Sequence, residues 1–531
     1  LLALLLRTGI QGAPVLQMAQ GLLDRFGGWA GLLAASVEDL VGAIVVVREK
    51  KAAAARARGL RVLHRSDALA AAMGVQRTIA VAGTHGKTTT SSMIAVMLDA
   101  AGADPSFAVG ARIAALGTNA RLGRTDDDAW FVAEADESDG SFLKYAPSIA
   151  VVTNVEPDHL DFYGTPAAVH LAFERFAETL GQDGVLVICA DDDGAAQLAR
   201  ARRRAGARVL TYGTDAAADL RIEDITGEGT ASSARLAWQL PEAAGGARGG
   251  VTLHLAVPGT HNLRNAAAAM ACALLVGVDP QAAARGLSEF TGSARRFERR
   301  GQARGVTVFD DYAHHPTEVA AALQAARTVA AGGTVYAIFQ PHLFSRTRAF
   351  AREFAEALSL ADRAFVVDVF PAREEPIEGV SSHLITDAGF SEVRYAASGR
   401  EAATRIASSA AAGDIVLTIG AGDVTTYGAF VLEALAEDER PALTGLDGQE
   451  QLAARAVVWA RKEAILKATG HGLVVDPTEV VVSPPGEPAR LVAWRAAEPP
   501  PVAVTVSDAV LESPAHRASV AVLASEPVEI T

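Results

Sequence analysis

A single loop narrows the possible folds of this chain more than any other stretch. Gly83-Thr84-His85-Gly86-Lys87-Thr88-Thr89-Thr90 follows the β-branched run Thr78 to Ala82 and opens a long helical stretch. Glycines let backbone N–H groups close on phosphate oxygens, and a helix N-terminus adds positive potential. Lys87 can neutralise phosphate charge and the Thr88 hydroxyl can ligate Mg²⁺, with Gly83, Thr84, His85, Gly86 and Thr89 completing the cradle. The spacing Gly-x-x-Gly-Lys-Thr is shorter than that of the common phosphate loop, but the strand–loop–helix context is the same. The plain alternative is a glycine turn carrying a surface lysine.

The surrounding pattern is α/β. Short apolar runs at Thr78 to Ala82, Trp130 to Ala133, Ile149 to Thr153, Val185 to Ile188 and Val251 to Leu255 alternate with Ala-rich helical segments. A second series follows the basic segment Arg295 to Arg300, with strands expected at Val306 to Phe309, Thr334 to Phe339, Ala364 to Val369 and Ile415 to Ile419. Two consecutive sheets are implied. At 531 residues the chain has room for about three or four domains, and 50% hydrophobic with 21% charged residues excludes a largely disordered polymer. The net charge of -14 opposes a nucleic-acid or anionic-membrane partner. No apolar run is long enough to span a bilayer, and Leu1 to Leu6 lack the basic flank of a secretion signal. The two cysteines, Cys189 and Cys272, form no disulfide framework, which fits the cytoplasm.

Several polar clusters follow predicted strands, where a parallel sheet gathers its ligand-binding groups. Glu134-Ala135-Asp136-Glu137-Ser138-Asp139 offers carboxylates to a metal at the phosphate loop, although such acidic turns are also common as solvated loops. Thr153 to Asp161 offers His159 beside several carboxylates, as a metal or phosphate contact or as a structural histidine. Asn262 and Asn265, at i and i+3, share a helix face able to bond a planar base, and Asn262 is alternatively an N-cap. In the second series, Asp310-Asp311-Tyr312-Ala313-His314-His315-Pro316 leads into a helix with Pro316 near its first position. Gln340 to Arg348 places Arg346 and Arg348 where two guanidinium groups can clamp an anionic substrate. Polar loops that merely cap helices would look the same.

In this order, these elements resemble the Mur ligase family of peptidoglycan synthesis, over about Ile44 to Leu435. Within it they are most similar to the member that adds the first amino acid. The resemblance implies a central ATPase sheet of the phosphate-loop type followed by a Rossmann-like C-terminal domain that swings in to complete the site. It implies ATP and Mg²⁺, and UDP-N-acetylmuramate and L-alanine as substrates, joined through an acyl phosphate. Lys87 would hold the transferring phosphate, Thr88 and Glu134 one Mg²⁺, and His159 a second metal or the substrate. Asn262 and Asn265 would hold the adenine, Arg296 would meet the phosphates and Asp311 would take the ribose. Tyr312, His314, Arg346 and Arg348 would line the substrate side.

The flanks depart from that family. No Gly-rich uridine-diphosphate loop precedes Ile44, and residues 43–76 match only the end of the family's first domain. Residues 1–42, which start on Leu rather than Met and are expected to be a truncated or joined piece, resemble the helical N-terminal segment of the RadC family. After about Pro441 the pattern becomes α+β, with a helix from about Gln449 to Ala468 and strand-like runs around Val480, Val492 and Val504. Trp459 to Gly470 resembles the second half of a 4′-phosphopantetheinyl transferase, in which Glu463 would be an Mg²⁺ ligand and Lys462 and Lys467 would sit beside coenzyme A phosphates. Glu463 and Lys467 are equally an ordinary i, i+4 pair. The expected domains are therefore 1–42, 43–76, 77–293, 294–440 and 441–531. The alternatives to a ligase are a transferase acting on a carrier protein and an inactive fusion of fragments.

Overall fold

The computed structural model describes residues 65–242, 246–372, 374–435, 448–469, 480–483, 488–494, 503–509 and 518–524. The helical segment expected at 1–42 and most of 43–76 lie outside them. The chain divides between Ala294 and Arg295 into two units.

The first unit is built on ten strands: β1 Arg77–Ala82, β2 Ser106–Ile113, β3 Thr118–Arg121, β4 Trp130–Glu134, β5 Ile149–Val152, β6 Val185–Cys189, β7 Arg208–Gly213, β8 Leu220–Glu228, β9 Ala231–Gln239 and β10 Arg248–Leu255. They lie in the order β10-β9-β8-β7-β6-β5-β1-β4-β2-β3. The central strands are parallel, and β3, β9 and β10 join as antiparallel partners. The near-continuous Val/Ile/Ala runs of β1, β5 and β6 are buried, as a parallel sheet covered on both faces requires. β1 is the turning point of the topology, because the chain passes from it to β2 and β4 on one side and then crosses to β5 on the other. Ligand crevices form outside the carboxyl ends of strands at such points.

Helix α1, Lys87–Ala100, runs back from the end of β1, and Thr88 to Leu98 are all buried. Its hydroxyl side chains tolerate burial because they find partners: the Ser91 Oγ donates to the Lys87 carbonyl at 2.7 Å, and those of Thr88 and Thr90 reach residues outside the helix. The far end of α1 is held by helix α3, Pro280–Ser288, which follows helix α2, Thr260–Val276. A Cβ on Gly286 of α3 would lie 3.0 Å from the Met97 Cα and 3.1 Å from the Ala100 Cβ, so a side chain there would push the two helices slightly apart.

The second unit holds β11 Glu298–Ala303, β12 Val306–Asp311, β13 Val335–Phe339, β14 Arg363–Val366, β15 Val393–Tyr395 and β16 Ile415–Ile419, in the order β11-β12-β16-β13-β14-β15. All neighbours are parallel except β11 and β12. β14 ends at Val366, before the expected Val369, once its pairing with β13 stops at Phe339. Helices α4, Pro316–Ala330, and α5, Phe344–Leu358, follow β12 and β13, and α6, Tyr427–Leu435, follows β16. Pro316 sits in the first turn of α4, as its fixed φ favours.

In the tail, α7, Gly448–Ala468, packs on β19, Ala503–Ala509, and β20, Ala518–Ala524; a second pair is β17, Val480–Val482, with β18, Leu491–Trp494. Arg461 is buried there and reaches the Asp508 carboxylate at 2.5 Å and the Ser483 carbonyl at 2.7 Å. Among the described residues no helix is long and apolar enough to cross a membrane.

An aromatic anchor fixes the loop after β4. The short helical turn Ser141–Lys144 drives Phe142 into the core, where it stacks on Phe176 (5.0 Å) and meets Phe173 edge-on (5.6 Å). Phe142→Ala is expected to lower the unfolding free energy in urea by about 3–5 kcal/mol, the cost of an aromatic-sized cavity. A loss under about 1 kcal/mol would show that the anchor is not tightly packed.

Candidate functional site

The carboxyl ends of β4, β1 and β5 emerge side by side, since Val81 pairs with Glu134 and Ala82 with Val152. The loop from Gly83 to Gly86 therefore turns directly against residues 153–156. Gly83 has φ +138°, and a Cβ there would fall 1.9 Å from the Thr153 Oγ1. Gly86 has φ +81°, and its Cβ would press to 2.8 Å on the Asn265 Oδ1. Both are conformations that L side chains rarely adopt. Neighbouring polar groups then lock the loop. The His85 N–H donates to the Asn154 Oδ1 at 2.7 Å, the Glu156 N–H donates to the Thr84 Oγ1 at 2.9 Å, and the Thr153 hydroxyl donates to the His85 carbonyl.

Lys87 uses all three ammonium hydrogens: on the Gly83 carbonyl (2.7 Å), the Thr84 carbonyl (3.2 Å) and the Glu137 Oε1 (2.9 Å). Burial works against its charge, but the carboxylates of Glu137, Asp136 and Glu134 more than offset this, and the proton is held more firmly than in water. Burial likewise opposes the carboxylate of Asp136, yet the Lys87 charge and the Ser138 hydrogen bonds hold it below the usual range. The Thr88 hydroxyl donates to the Glu134 Oε1 at 2.9 Å, while the Gly110 N–H donates to Oε2 at 2.6 Å.

His159 is the residue before the short helix Leu160–Tyr163 and has φ +52°. Its Nε2 lies 3.5 Å from the Glu137 Oε1 and 3.7 Å from the Asp158 Oδ2. Burial alone would discharge the ring, but the Glu137 hydrogen bond and the Asp158 charge raise its pKa above the ordinary imidazole value. The structure thus brings Lys87, Thr88, Glu134 and His159 to one sheet edge. Glu137, which links Lys87 to His159, was quoted in the acidic cluster but not singled out, because its partnership with Lys87 is tertiary.

Asn262 and Asn265 are both buried on α2. Asn262 is not an N-cap: the helix is capped by Gly259, and the Asn262 Nδ2 reaches back to the Pro258 carbonyl at 2.7 Å. Asn265 Oδ1 accepts from the Thr90 hydroxyl at 3.1 Å, which ties α2 to α1 beside the loop. Sequence reasoning also missed Asp191, a carboxylate two residues beyond the end of β6, which accepts from the Arg264 Nε at 2.6 Å.

In the second unit, Arg295 and Phe297 hold left-handed φ values of +57° and +48°. Buried carboxylates compensate for that strain. Arg295 Nε donates to Asp310 at 3.1 Å, the Phe297 N–H donates to the Asp311 Oδ2 at 2.8 Å, and the Ala313 N–H donates to the Asp311 Oδ1 at 2.8 Å. Asp311, the expected ribose contact, is therefore already engaged on both oxygens by backbone. Arg296 lies over the Tyr312 ring (5.3 Å) and 3.6 Å from Glu318. Tyr312 meets His314 edge-on at 5.3 Å, and the His314 N–H donates to Glu318 at 3.0 Å. The structure does not bring the two arginines of the expected clamp to one helix face. Arg346 is buried, with Nη1 3.4 Å from the His342 Nδ1, whereas Arg348 is exposed. Positions two apart on a helix are separated by about 200° and cannot share a face.

In the tail, Glu463 and Lys467 form the i, i+4 ion pair at 2.8 Å. Lys462 on the same helix is buried.

Comparison with known proteins follows this division. The profile of the Mur ligase middle domain matches residues 81–273, and that of the Mur ligase, glutamate ligase domain, matches residues 295–422. The profile of the 4'-phosphopantetheinyl transferase superfamily matches residues 421–520. The chain is 54% identical over 413 residues to the UDP-N-acetylmuramate–L-alanine ligase of Paenarthrobacter aurescens (strain TC1), covering 76% of this chain and 86% of that protein. It is 56% identical over 412 residues to the enzyme of the same name from Arthrobacter sp. (strain FB24), covering 76% of this chain and 84% of that protein. Among solved structures it is similar to the UDP-N-acetylmuramate-alanine ligase of Thermotoga maritima, with TM-score 0.60, 26% identity and coverage of 74% of this chain and 84% of that one.

The Asp311 carboxyl is pushed up to about 6, chiefly by burial, with the Arg296 charge and the two backbone hydrogen bonds opposing that. Between the unfolded value of 3.8 and about 6, the folded protein keeps a proton that the unfolded chain releases. Stability contributed by this group therefore falls as pH rises through that window, by up to about 2–3 kcal/mol. Urea unfolding of wild type beside Asp311→Asn should show the difference moving in favour of the asparagine variant from pH 4 to pH 7. A constant difference would mean the carboxyl titrates alike in both states.

Proposed function

The chain belongs to the Mur ligase family, and on that premise we propose that it joins L-alanine to the carboxylate of UDP-N-acetylmuramate at the expense of ATP. The observation that carries the reading is the loop at residues 83–88: two glycines in conformations that L side chains rarely adopt bring it against Thr153 and Asn265, and the Lys87 ammonium bonds to its Gly83 and Thr84 carbonyls at the start of α1. Phosphate oxygens suit such a loop, since a helix N-terminus and a lysine ammonium both favour anions.

Mg²⁺ fits the oxygen donors of Thr88 and Glu134. Their 2.9 Å separation matches the spacing of two adjacent ligands in an octahedron of about 2.0–2.1 Å bonds. His159 is the further candidate, for a second metal or the substrate. The ion supplies charge neutralisation on the phosphates when bound. ATP supplies the phosphoryl group that turns the muramoyl carboxylate into an acyl phosphate, which the alanine amine then attacks.

The residues of the chain have defined tasks in this scheme. Lys87 offsets negative charge on the transferring phosphate, and Thr84, His85 and Thr89 hold the loop in place around it. Asn262 and Asn265 take the adenine, Arg296 the phosphates and Asp311 the ribose. Tyr312, His314, Arg346 and Arg348 take the substrate side, Arg348 as the exposed member of the four. Such a site works by positioning and charge more than by a strong base. The reading sets the reaction in the cytoplasm, where ATP is available.

ADP release should require both UDP-N-acetylmuramate and L-alanine, and Lys87→Ala should slow it at least about 10²-fold, the scale of removing one transition-state charge partner. Equal rates for wild type and variant, or release independent of the two substrates, would overturn the assignment.

A second reading, phosphopantetheinyl transfer to a carrier protein, is favoured by the match over residues 421–520. Glu463 would then serve as its Mg²⁺ ligand. Labelled coenzyme A should transfer its phosphopantetheine to an acyl carrier protein, with a loss of at least about tenfold in Glu463→Gln; no transfer by the wild-type chain would remove this reading.

A further inference from the structure

Glu137 lies at the centre of the first unit's site with no part yet in the reaction. Its side chain is 2% exposed. Oε1 is shared by the Lys87 Nζ at 2.9 Å and the His159 Nε2 at 3.5 Å, and Oε2 is buried with no hydrogen-bond partner among the described residues. The backbone that carries it is pinned, since its carbonyl accepts the Tyr163 hydroxyl at 2.5 Å and the Gly140 N–H at 3.0 Å. A carboxylate so deeply buried needs a countercharge, and the lysine provides it.

Lys87, for its part, has no hydrogen to spare. Two of its three bonds run to carbonyls three and four residues earlier in the same loop and move with it. The bond to Glu137 crosses fifty residues of chain and is the one that can be exchanged. A phosphate oxygen arriving at the loop must therefore compete with this carboxylate for the ammonium.

The geometry points to Glu137 as a placeholder for phosphate: it holds Lys87 in the nucleotide-free protein and surrenders the ammonium when a polyphosphate binds. This deepens the nucleotide reading given above and rests on it. Glu137 is a positioning residue here. It keeps the loop assembled without ligand and lowers nucleotide affinity as the consequence. A structural prop or a metal ligand at this position would act in the opposite direction, since losing either weakens binding.

The test is ATP binding to the full chain, wild type beside Glu137→Gln, by fluorescence titration first in EDTA and then with Mg²⁺. The glutamine keeps the shape and removes the competing charge. It is expected to bind ATP about tenfold tighter in EDTA, the scale of one charge-assisted hydrogen bond no longer broken, and to unfold at a lower temperature than wild type without nucleotide. Glu137→Asp, which keeps the charge but draws it away by one methylene, should fall between the two, and it decides the matter if the glutamine variant does not fold. Binding in EDTA that is unchanged or weaker in the folded variant overturns the proposal while leaving the nucleotide reading intact. Wild type that binds no ATP under either condition overturns both.

Discussion

Three neighbouring strand ends govern the first unit. Because β4, β1 and β5 are parallel and in register through Val81–Glu134 and Ala82–Val152, the chain leaving each of them emerges at the same edge. The glycine loop, the acidic loop and the Thr153 to Asp161 segment must then share one small volume. The crowding is severe enough that the Gly83 Cα faces the Thr153 side chain with no space for a methyl group. What results is a bed of amides, hydroxyls and carboxylates around one ammonium, assembled by sheet register rather than by local preference.

Much of this could be read from the residues alone. The strand, loop and helix at 78–100 follow from a β-branched run, two glycines and a helical stretch, all local signals. The strand runs at 149, 185, 335 and 415 were legible for the same reason, since a buried parallel strand is a short apolar run with few alternatives. What could not be read depends on contacts between distant segments. The Lys87–Glu137 bond spans fifty residues, and nothing in the acidic cluster distinguishes Glu137 from Asp136 or Glu134. Asn262 reads equally as a base contact or an N-cap, and only the structure shows that Gly259 caps the helix three residues earlier. That Arg346 is buried and Arg348 exposed likewise depends on how their helix packs.

The second unit shows the reverse relation between strain and burial. Two residues in left-handed conformation, Arg295 and Phe297, open it, and each costs on the order of 1–2 kcal/mol without compensation. Asp310 and Asp311 provide the compensation by accepting from the Arg295 guanidinium and the Phe297 N–H. The acidic pair at the end of β12 thus serves the backbone as well as any ligand. A sequence reader who sees Asp-Asp-Tyr at a strand end assigns it wholly to substrate, whereas its carboxylates are already partly committed to the turn that precedes β11.

The glycine contact between α3 and the end of α1 has a mechanical implication. A helix of fourteen residues is a stiff rod of about 21 Å, with the phosphate loop at one tip and Gly286 wedged against the other. A side chain introduced at 286 would press on Met97 and Ala100, so the two helices would have to part by a few tenths of an ångström. Because the rod is stiff, a change made at this far crossing bears on the placement of the loop at its other tip without altering any residue of that loop.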